Sequence, residues 1–249
     1  MKTKHLLYIL SLAFLASCSK DGGGQNSSSD FNNSGKAGSL ARFAIVGDNL
    51  YTVTPNDVKI FDITTASNPT YKVDQPIGFG IETIFPLGNT LFLGSETGMY
   101  IYDITNPLAP KMISQYQHIL SCDPVVANEN YAYVTLSSGE TRCWRGLTQL
   151  EVIDIRNKKQ PQIAKVYPMT NPKGLALSGN DLFVCDDKVK WFDATDNVNL
   201  VPKGVIDVKA HDAITIGKIL MLIGEDGLSQ YNFSGQEPVF LSNIKIGAK

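Results

Sequence analysis

The sequence predicts an all-β fold, a five-bladed β-propeller with four-stranded antiparallel blades. Three observations predict it. One phrase of turn, strands and proline occurs five times, its turns are 41, 40, 51 and 38 residues apart, and only the third copy carries an insertion. Repeats of about 40 residues built from short strands are typical of propeller blades. Five copies in register therefore predict five blades.

Each copy begins at a tight turn and ends at a proline. The turns fall at Gly47, Gly88, Asn128, Gly179 and Gly217. The residues that close the third strand are Asp62, Asp103, Asp154, Asp193 and Asn232. The prolines are Pro69, Pro110, Pro161, Pro202 and Pro238. Gly and Asn tolerate the positive φ of two-residue hairpins, and proline is confined to strand starts and sheet edges. Each copy is therefore predicted to run from an inner hairpin to an outermost strand.

The two ends of the repeat region predict how the ring closes. The chain enters with an inner-type strand at 43–46 and leaves on an outer strand near 239–246. We expect the N- and C-terminal strands to pair, which would tie both ends together and leave only short exposed edges.

Residues 1–17 are predicted to be a lipoprotein signal peptide. Lys2 and Lys4 precede an apolar run at 6–16 that is too short to span a bilayer. The segment Leu15-Ala16-Ser17-Cys18 resembles the lipobox of bacterial lipoproteins, and the resemblance implies diacylglycerol and palmitate on Cys18. Acyl chains at roughly 0.8 kcal/mol per buried methylene would make a stable membrane anchor. An ordinary signal peptide with an accidental cysteine is the alternative.

Residues 18–40 are predicted to be a flexible tether, and residues 41–249 the propeller domain. The tether is rich in Gly, Ser and Asn and cannot bury enough surface to offset its ordering entropy. Its start, Cys18-Ser19-Lys20-Asp21, resembles the signal that sends Bacteroidetes-type lipoproteins to the outer surface of the outer membrane. The resemblance implies an outer-membrane, cell-surface location, and a periplasmic orientation remains the alternative.

Charge restricts the class of partner. Removing residues 1–17 takes away two lysines and no acids, which leaves 20 basic against 24 acidic side chains and a net charge of −4. Proteins that bind nucleic acid carry a basic face, so no nucleic-acid partner is expected. We expect a monomer that contacts the membrane through its N-terminal lipid and binds an extracellular or periplasmic glycan or protein.

Three segments carry a family resemblance. Asp-Ile-Thr-Asn-Pro at 103–107, Leu-Glu-Val-Ile-Asp-Ile at 150–155 and Gly-Leu-Ala-Leu-Ser-Gly-Asn-Asp-Leu-Phe-Val at 174–184 are similar to the LVIVD-repeat family. The resemblance covers about 41–246. It implies a propeller module of bacterial or archaeal cell-surface proteins, most of which have no assigned activity. The fourth and fifth copies depart from the pattern, with Asp193-Ala194-Thr195 and Asn232-Phe233-Ser234 in place of Asp-Ile-Thr.

Three cysteines remain in the propeller domain. An exported protein meets an oxidising compartment, so one disulfide and one free cysteine are expected. Cys122 lies in the loop entering the third copy and Cys143 lies in its insertion, on the same predicted face. A bond between them would close a loop of about 20 residues and contribute roughly 3 kcal/mol. Cys185 ends an apolar strand and is expected to be a buried free thiol.

A ring of polar side chains is predicted at the channel mouth, where the chain enters each inner strand. Counting back from the turns aligns Ala41, Glu82, Cys122, Lys173 and His211. The next aligned position holds Arg42, Thr83, Asp123, Gly174 and Asp212. This ring is a candidate binding face. The alternative is that these residues only solvate the rim. His211 and Asp212 could form a base and its orienting carboxylate, but adjacent strand residues point to opposite faces.

The insertion in the third copy adds three residues to the candidate binding face. Insertions on one face of a repeat protein often carry recognition, and this one, at about 136–148, contains Arg142, Trp144 and Arg145. A tryptophan between two arginines could contact a sugar ring or an aromatic side chain. The alternative is that Trp144 packs the insertion onto its blade.

No cofactor is predicted. Acidic residues in the loops between second and third strands, with Asp123 and Glu82, leave a Ca²⁺ site as an alternative, although no spacing resembles a known calcium loop. These loop acids are Asp57, Glu96, Asp186, Asp187, Glu225 and Asp226.

Two function classes follow. The anchor, the tether and the absence of a nucleophile elbow, zinc motif, phosphate loop or catalytic Cys/His pair favour a non-catalytic binding module for a glycan, peptide or protein. The alternative is a glycoside hydrolase or lyase that uses carboxylates at the central channel, which requires two acids about 5 to 10 Å apart.

Overall fold

The computed structural model describes residues 38–117, 124–137 and 147–246. These residues form five four-stranded antiparallel sheets, and each sheet is built from four strands that are consecutive in the chain. The described residues contain no helix, and therefore none that could cross a membrane. The predicted five-bladed all-β propeller is confirmed.

The blades follow one another along the chain. Blade 1 contains β1 (Phe43–Val46), β2 (Asn49–Val53), β3 (Asp57–Asp62) and β4 (Thr70–Pro76). Blade 2 contains β5 (Ile81–Leu87), β6 (Thr90–Ser95), β7 (Gly98–Asp103) and β8 (Lys111–Gln117). Blade 3 contains β9 (Val125–Ala127), β10 (Tyr131–Leu136), β11 (Gln149–Asp154) and β12 (Gln162–Pro168). Blade 4 contains β13 (Leu175–Ser178), β14 (Asp181–Cys185), β15 (Val189–Asp193) and β16 (Val201–Ile206). Blade 5 contains β17 (Ala210–Ile216), β18 (Ile219–Gly224), β19 (Gly227–Asn232) and β20 (Val239–Ile244).

The Asp or Asn that closes each third strand has a direct structural role. In every copy its side-chain Oδ1 accepts the backbone N–H two residues later, at 2.7 to 3.0 Å. This Asx turn ends the strand and directs the chain toward the outermost strand. Asn232 serves as well as the four aspartates because the turn requires only one acceptor oxygen.

The turn of blade 3 corrects one part of the sequence alignment. Gly47, like its counterparts in the other three glycine turns, has φ near +57° and is the first turn residue. In blade 3, Asn128 instead bonds Tyr131 through its backbone N–H, and its Oδ1 accepts the N–H groups of Asn130 and Tyr131. The turn residues are therefore Glu129 and Asn130. The alignment through Asn128 is wrong by one residue.

Four hydrophobic clusters fill the spaces between consecutive blades. Blades 1 and 2 enclose Tyr51, Ile60 and Ile84. Blades 2 and 3 enclose Phe92, Ile101 and Val125. Blades 3 and 4 enclose Tyr133, Val152 and Leu175. Blades 4 and 5 enclose Phe183, Trp191 and Ala213. Blades 2, 3 and 4 thus each use one face against the preceding blade and the other against the next.

The space between blade 5 and blade 1 is packed less tightly. The inner-strand position that faces the preceding blade is 0% exposed in four blades, at Ile84, Val125, Leu175 and Ala213. Its counterpart in blade 1, Phe43, is 55% exposed. On the facing side, blade 5 carries Gln230 where the other blades carry Ile60, Ile101, Val152 and Trp191. In the described part of the chain no hydrophobic cluster joins blades 5 and 1.

Among the residues that the structure describes, the predicted pairing of the N- and C-terminal strands is not formed. Within those ranges β1 pairs only with β2, and β20 pairs only with β19. The reason is where the described strands begin and end. The first is an innermost strand and the last is an outermost strand, so the four consecutive strands of each copy complete one blade. No described strand is left over to pair across the two ends. Residues 38–40 instead contact blades 4 and 5 directly.

Candidate functional site

The repeat alignment predicts a channel mouth at the residues that lead into the inner strands, and the structure describes several of these residues. Glu82 and His211 occupy equivalent places, because each is skipped by the strand pairing at a β-bulge at the start of its inner strand. A bulge re-aims the residues around it. Glu82 and His211 therefore lie at the same edge of their blades, where the inner strand begins.

Asp212 is the centre of a hydrogen-bond network at this mouth. Its Oδ1 accepts the Ser39 hydroxyl at 3.0 Å and the Ala213 N–H at 2.9 Å, and its Oδ2 accepts the Leu40 N–H at 3.3 Å. Ser39, which is 0% exposed, also accepts the Leu175 N–H at 2.7 Å. The segment before β1 is thereby fixed to the inner strands of blades 4 and 5.

Two glycines make room for this carboxylate. A Cβ added at Gly174 would lie 2.1 Å from Asp212 Oδ1, and one added at Gly38 would lie 2.2 Å from Oδ2. Neither distance is compatible with a side chain. The backbone at Gly38 and Gly174 therefore encloses the Asp212 carboxylate.

Burial raises the pKa of two groups in this region, Asp212 and Cys185. Burial raises the pKa of Asp212 above its usual value, against the opposing effect of its hydrogen bonds from Ala213, Ser39 and Leu40. Burial also raises the pKa of the Cys185 thiol, and the nearby charge of Asp212 adds to the rise. Cys185 is buried with a free thiol, as predicted. A thiol of this kind is a poor nucleophile.

His211 pairs with Lys173 rather than with Asp212. Lys173 Nζ lies 3.1 Å from His211 Nδ1. An ammonium group can only donate, so Nδ1 is the acceptor and the proton of the neutral ring is on Nε2. The ring position that could accept a proton is thus already occupied. His211 and Asp212 therefore have different partners, as expected for adjacent strand residues that point to opposite faces.

The structure describes only some of the other predicted site residues. Arg42 is exposed, and its side chain makes no hydrogen bond or ion pair with the described part of the chain. Pro124 rather than Asp123 lies opposite Thr135, because the blade 3 turn is shifted by one residue. The remaining predicted residues, Cys18, Cys122, Asp123, Arg142, Cys143, Trp144 and Arg145, lie outside the described residues.

Asp186 has a structural role in the second set of loops. Its carboxylate, which is 0% exposed, accepts the Thr170 N–H at 3.0 Å, the Asn171 N–H and the ammonium group of Lys190. Burial alone would raise its pKa, but the hydrogen bonds from Lys190, Asn171 and Thr170 outweigh burial and lower it. Asp186 therefore holds the loop that carries Lys173. Within the described ranges, no group of three His, Cys, Asp or Glu side chains could hold a metal ion.

A groove between blades 4 and 5 opens on the same face and was not predicted. It has a volume of about 840 Å³ and lies between the loop 207–209, the loop 224–227 and the end of β20. Its lining includes Ser229, Phe240 and Asn243. A smaller, mostly apolar groove of about 310 Å³ lies between blades 3 and 4, beside Tyr167 and Phe192. Open space on these blades therefore includes two grooves that lie between neighbouring blades.

Comparison with solved structures supports the fold. The chain is similar to a protein of unknown function from Desulfotomaculum acetoxidans (TM-score 0.62, 13% identity, 86% of this chain and 70% of that one). It is also similar to the periplasmic gluconolactonase of Pseudomonas aeruginosa (TM-score 0.60, 14% identity, 81% and 68%). A third similar structure is the computationally designed Ika8 protein (TM-score 0.58, 13% identity, 79% and 59%).

These comparisons reach no further than architecture. The chain spans between 59 and 70% of the length of these three structures. At such identities the likeness shows the fold alone. A scan against protein-family models finds no match, and a search of curated proteins finds none. The resemblance to LVIVD repeats therefore stays a prediction.

Proposed function

We propose that this protein is a lipid-anchored, non-catalytic binding module that captures a glycan, peptide or protein through its mouth face. The observation that supports it is the enclosure of the Asp212 carboxylate at the predicted mouth, where Ser39 and Leu40 bond both of its oxygens. A propeller enzyme needs a substrate-sized space beside its carboxylates. Beside Asp212 the space is taken by the backbone at Gly38 and Gly174.

The chemistry of the mouth also favours binding. His211 Nδ1 accepts from Lys173 and cannot serve as a base there without losing that bond. Asp212 is held by three donors between two glycines, and its hydrogen bonds in the described part of the chain go to Ser39, Leu40 and Ala213. His211 and Asp212 thus have separate partners, which argues against their acting as a catalytic pair.

The anchor belongs to the same proposal. Acylation of Cys18 would place the propeller on the outer membrane, facing the cell exterior, at the end of the tether 18–40. Mass spectrometry of the protein from a membrane fraction should find a diacylglyceryl, N-acylated Cys18 as the first residue. A chain that begins elsewhere, or an unmodified Cys18, would contradict the anchor and leave the binding proposal to be decided separately.

The binding proposal is tested by one screen scored for two outcomes. Full-length protein in detergent is applied to glycan, peptide and protein arrays, and both capture and cleavage are measured. We expect capture without cleavage, weakened by Trp144→Ala. Tyr71→Ala removes an aromatic ring of the outer strand of blade 1, which is 56% exposed, and serves as the control.

Turnover would overturn the proposal. Glycan cleavage that is abolished by Glu82→Gln or Asp123→Asn would establish the glycoside hydrolase or lyase alternative. Because one similar structure is a gluconolactonase, gluconolactone is included among the substrates tested.

A further inference from the structure

We propose that the groove between blades 4 and 5 is a binding site for a neutral oligosaccharide. The inference rests on the proposed binding function and adds to it a further site on the mouth face, with its ligand class. It follows from one aligned position of the repeat, from the space that this position leaves in blade 5, and from the chemistry of the groove lining.

The aligned position lies on the third strand of each blade and faces the preceding blade. Strand pairing places five residues there: Lys59, Tyr100, Glu151, Lys190 and Ser229. Four of these side chains are long, and Ser229 is short. The size of this residue decides how much of the space between two blades is filled.

In three blades the long side chain occupies the groove. Tyr100 is 8% exposed, and its ring lies where a Cβ on Gly78 would approach to 2.8 Å. Glu151 accepts the hydroxyl of Tyr116, on the preceding blade, at 2.9 Å. Lys190 lies 3.8 Å from the sulfur of Met169 and also bonds Asp186. Each reaches residues that precede its own blade, which leaves little space for a ligand.

Blade 5 leaves this space open. Among the described residues, the Ser229 hydroxyl bonds Asn243, whose Nδ2 donates to it at 2.9 Å across β19 and β20. The groove beside it measures about 840 Å³, compared with about 310 Å³ where Lys190 lies. Ligand sites in proteins are typically about 300 to 1,000 Å³, so the groove can hold several sugar units.

The lining combines an aromatic surface with hydrogen-bonding groups. Phe240 is 55% exposed, and its ring is held by an edge-to-face contact with Tyr231 at 5.5 Å between centroids. An exposed, fixed ring is a surface on which the C–H face of a pyranose can pack. Asn243 uses its Nδ2 internally, while its Oδ1 accepts from no described group, so it can take a bond from a hydroxyl.

The charges favour a neutral ligand. Asp207, Glu225 and Asp226 are opposed by Lys209 and Lys245, which gives the groove a net charge of −1. Such a lining disfavours acidic sugars, and its carboxylates can accept hydroxyl protons from neutral ones. Peptide ligands depend on apolar side-chain anchors, and the smaller groove between blades 3 and 4 has far less polar lining than the groove between blades 4 and 5. The groove between blades 4 and 5 suits a sugar better.

The experiment uses one variant that fills the groove, one that removes its aromatic ring, and a matched control outside the groove. Full-length protein in detergent is tested by calorimetry and array capture against oligomers of glucose, mannose, galactose, xylose and N-acetylglucosamine, up to about 1 mM. Ser229→Tyr restores a long side chain of the kind present in blade 2, and Phe240→Ala removes the exposed ring. Ser234→Tyr makes the same exchange at an exposed site of blade 5 that does not line the groove. Far-UV circular dichroism and the melting temperature establish folding.

We expect at least one of these oligosaccharides to bind, with affinity reduced about tenfold or more by Ser229→Tyr and by Phe240→Ala and unchanged by Ser234→Tyr. If Ser229→Tyr fails to fold, Phe240→Ala decides alone. Capture of neutral sugars that neither variant weakens, or no capture of them, overturns the inference. Capture of a peptide or an acidic sugar alone overturns it too, yet leaves the binding function standing. Cleavage of a sugar overturns the binding function itself.

Discussion

The Ser39 hydroxyl donates to Asp212 Oδ1 at 3.0 Å and accepts the backbone N–H of Leu175 at 2.7 Å. One side chain thus connects the segment before blade 1 with blade 4 and blade 5. Blades 5 and 1 enclose no hydrophobic cluster among the residues described, so this polar contact carries part of the closure that apolar packing supplies elsewhere.

Loss of the Ser39 hydroxyl should destabilise the propeller. Ser39→Ala leaves the buried Leu175 N–H without its acceptor and removes one donor from Asp212, which should cost about 1 to 3 kcal/mol. Urea unfolding at pH 7 measures it. Ser67→Ala, at an exposed site of blade 1, is the control and should change the unfolding free energy by less than about 0.5 kcal/mol. Equal effects of the two substitutions would contradict the closure role.

Asp212 should make the protein more stable as the pH falls from 7 toward 4. Its pKa in the folded state is raised above 3.8 by burial, so the folded state binds the proton more tightly than the unfolded state does. The stabilisation is complete below the unfolded pKa and is lost as pH rises through the folded pKa. Wild type should therefore gain stability relative to Asp212→Asn on acidification, as followed by urea unfolding between pH 7 and 4. A difference independent of pH would argue against it.

Asp186 should show the opposite pH dependence. Its pKa is lowered below 3.8 by bonds from Lys190, Asn171 and Thr170 that outweigh burial, so its stabilisation is present above pH 3.8 and is lost as pH falls through the folded pKa. Asp186→Ala should cost roughly 3 kcal/mol at pH 7 because it leaves Lys190 and two N–H groups unpaired. Asp187→Ala, at the exposed neighbouring residue, should be near neutral. If the two variants unfold at the same urea concentration, the loop is not held by Asp186.

Two substitutions at one aligned position should differ strongly. Ile84→Ala creates a cavity between blades 1 and 2 and should cost about 2 to 5 kcal/mol. Phe43→Ala alters the equivalent residue at the space between blades 5 and 1, where the ring is 55% exposed, and should cost about 1 kcal/mol or less. Thermal unfolding of both variants measures the contrast. A large loss at Phe43 would mean that blades 5 and 1 pack as the others do.

The predicted disulfide is open to a direct chemical test. A non-reducing peptide map of protein isolated from the membrane should join Cys122 to Cys143 and recover Cys185 as a thiol. Two free thiols at Cys122 and Cys143 would rule the bond out.

The repeat made the blades predictable because each copy carries its own local signals. Asp62 and its counterparts end the third strands through Asx turns, and Gly47 and its glycine counterparts begin the hairpin turns. The bounds of these strands could therefore be predicted from residues close in sequence. Asn128 was misaligned because its side chain caps the turn from the last strand position. That difference depends on a side-chain bond, which residue type alone does not specify.

The mouth and the groove were harder to predict for different reasons. Nothing near Ser39 in the sequence indicates a partner 173 residues away, and the position of the segment before β1 depends on that contact with Asp212. The groove did have a signal. Ser229 is the short member of an aligned set that otherwise contains Lys59, Tyr100, Glu151 and Lys190, and comparing side-chain sizes down that column would have indicated it.

The most direct test of binding in the groove between blades 4 and 5, rather than at the predicted mouth, is amide hydrogen exchange of the full-length protein, with and without the neutral oligosaccharides at saturating concentration. The groove segments 207–209, 224–227 and 239–246 should become protected, while 38–41 and 210–213 at the mouth should exchange as before. Protection at the mouth with an unchanged groove, or no protection in either place, would contradict it.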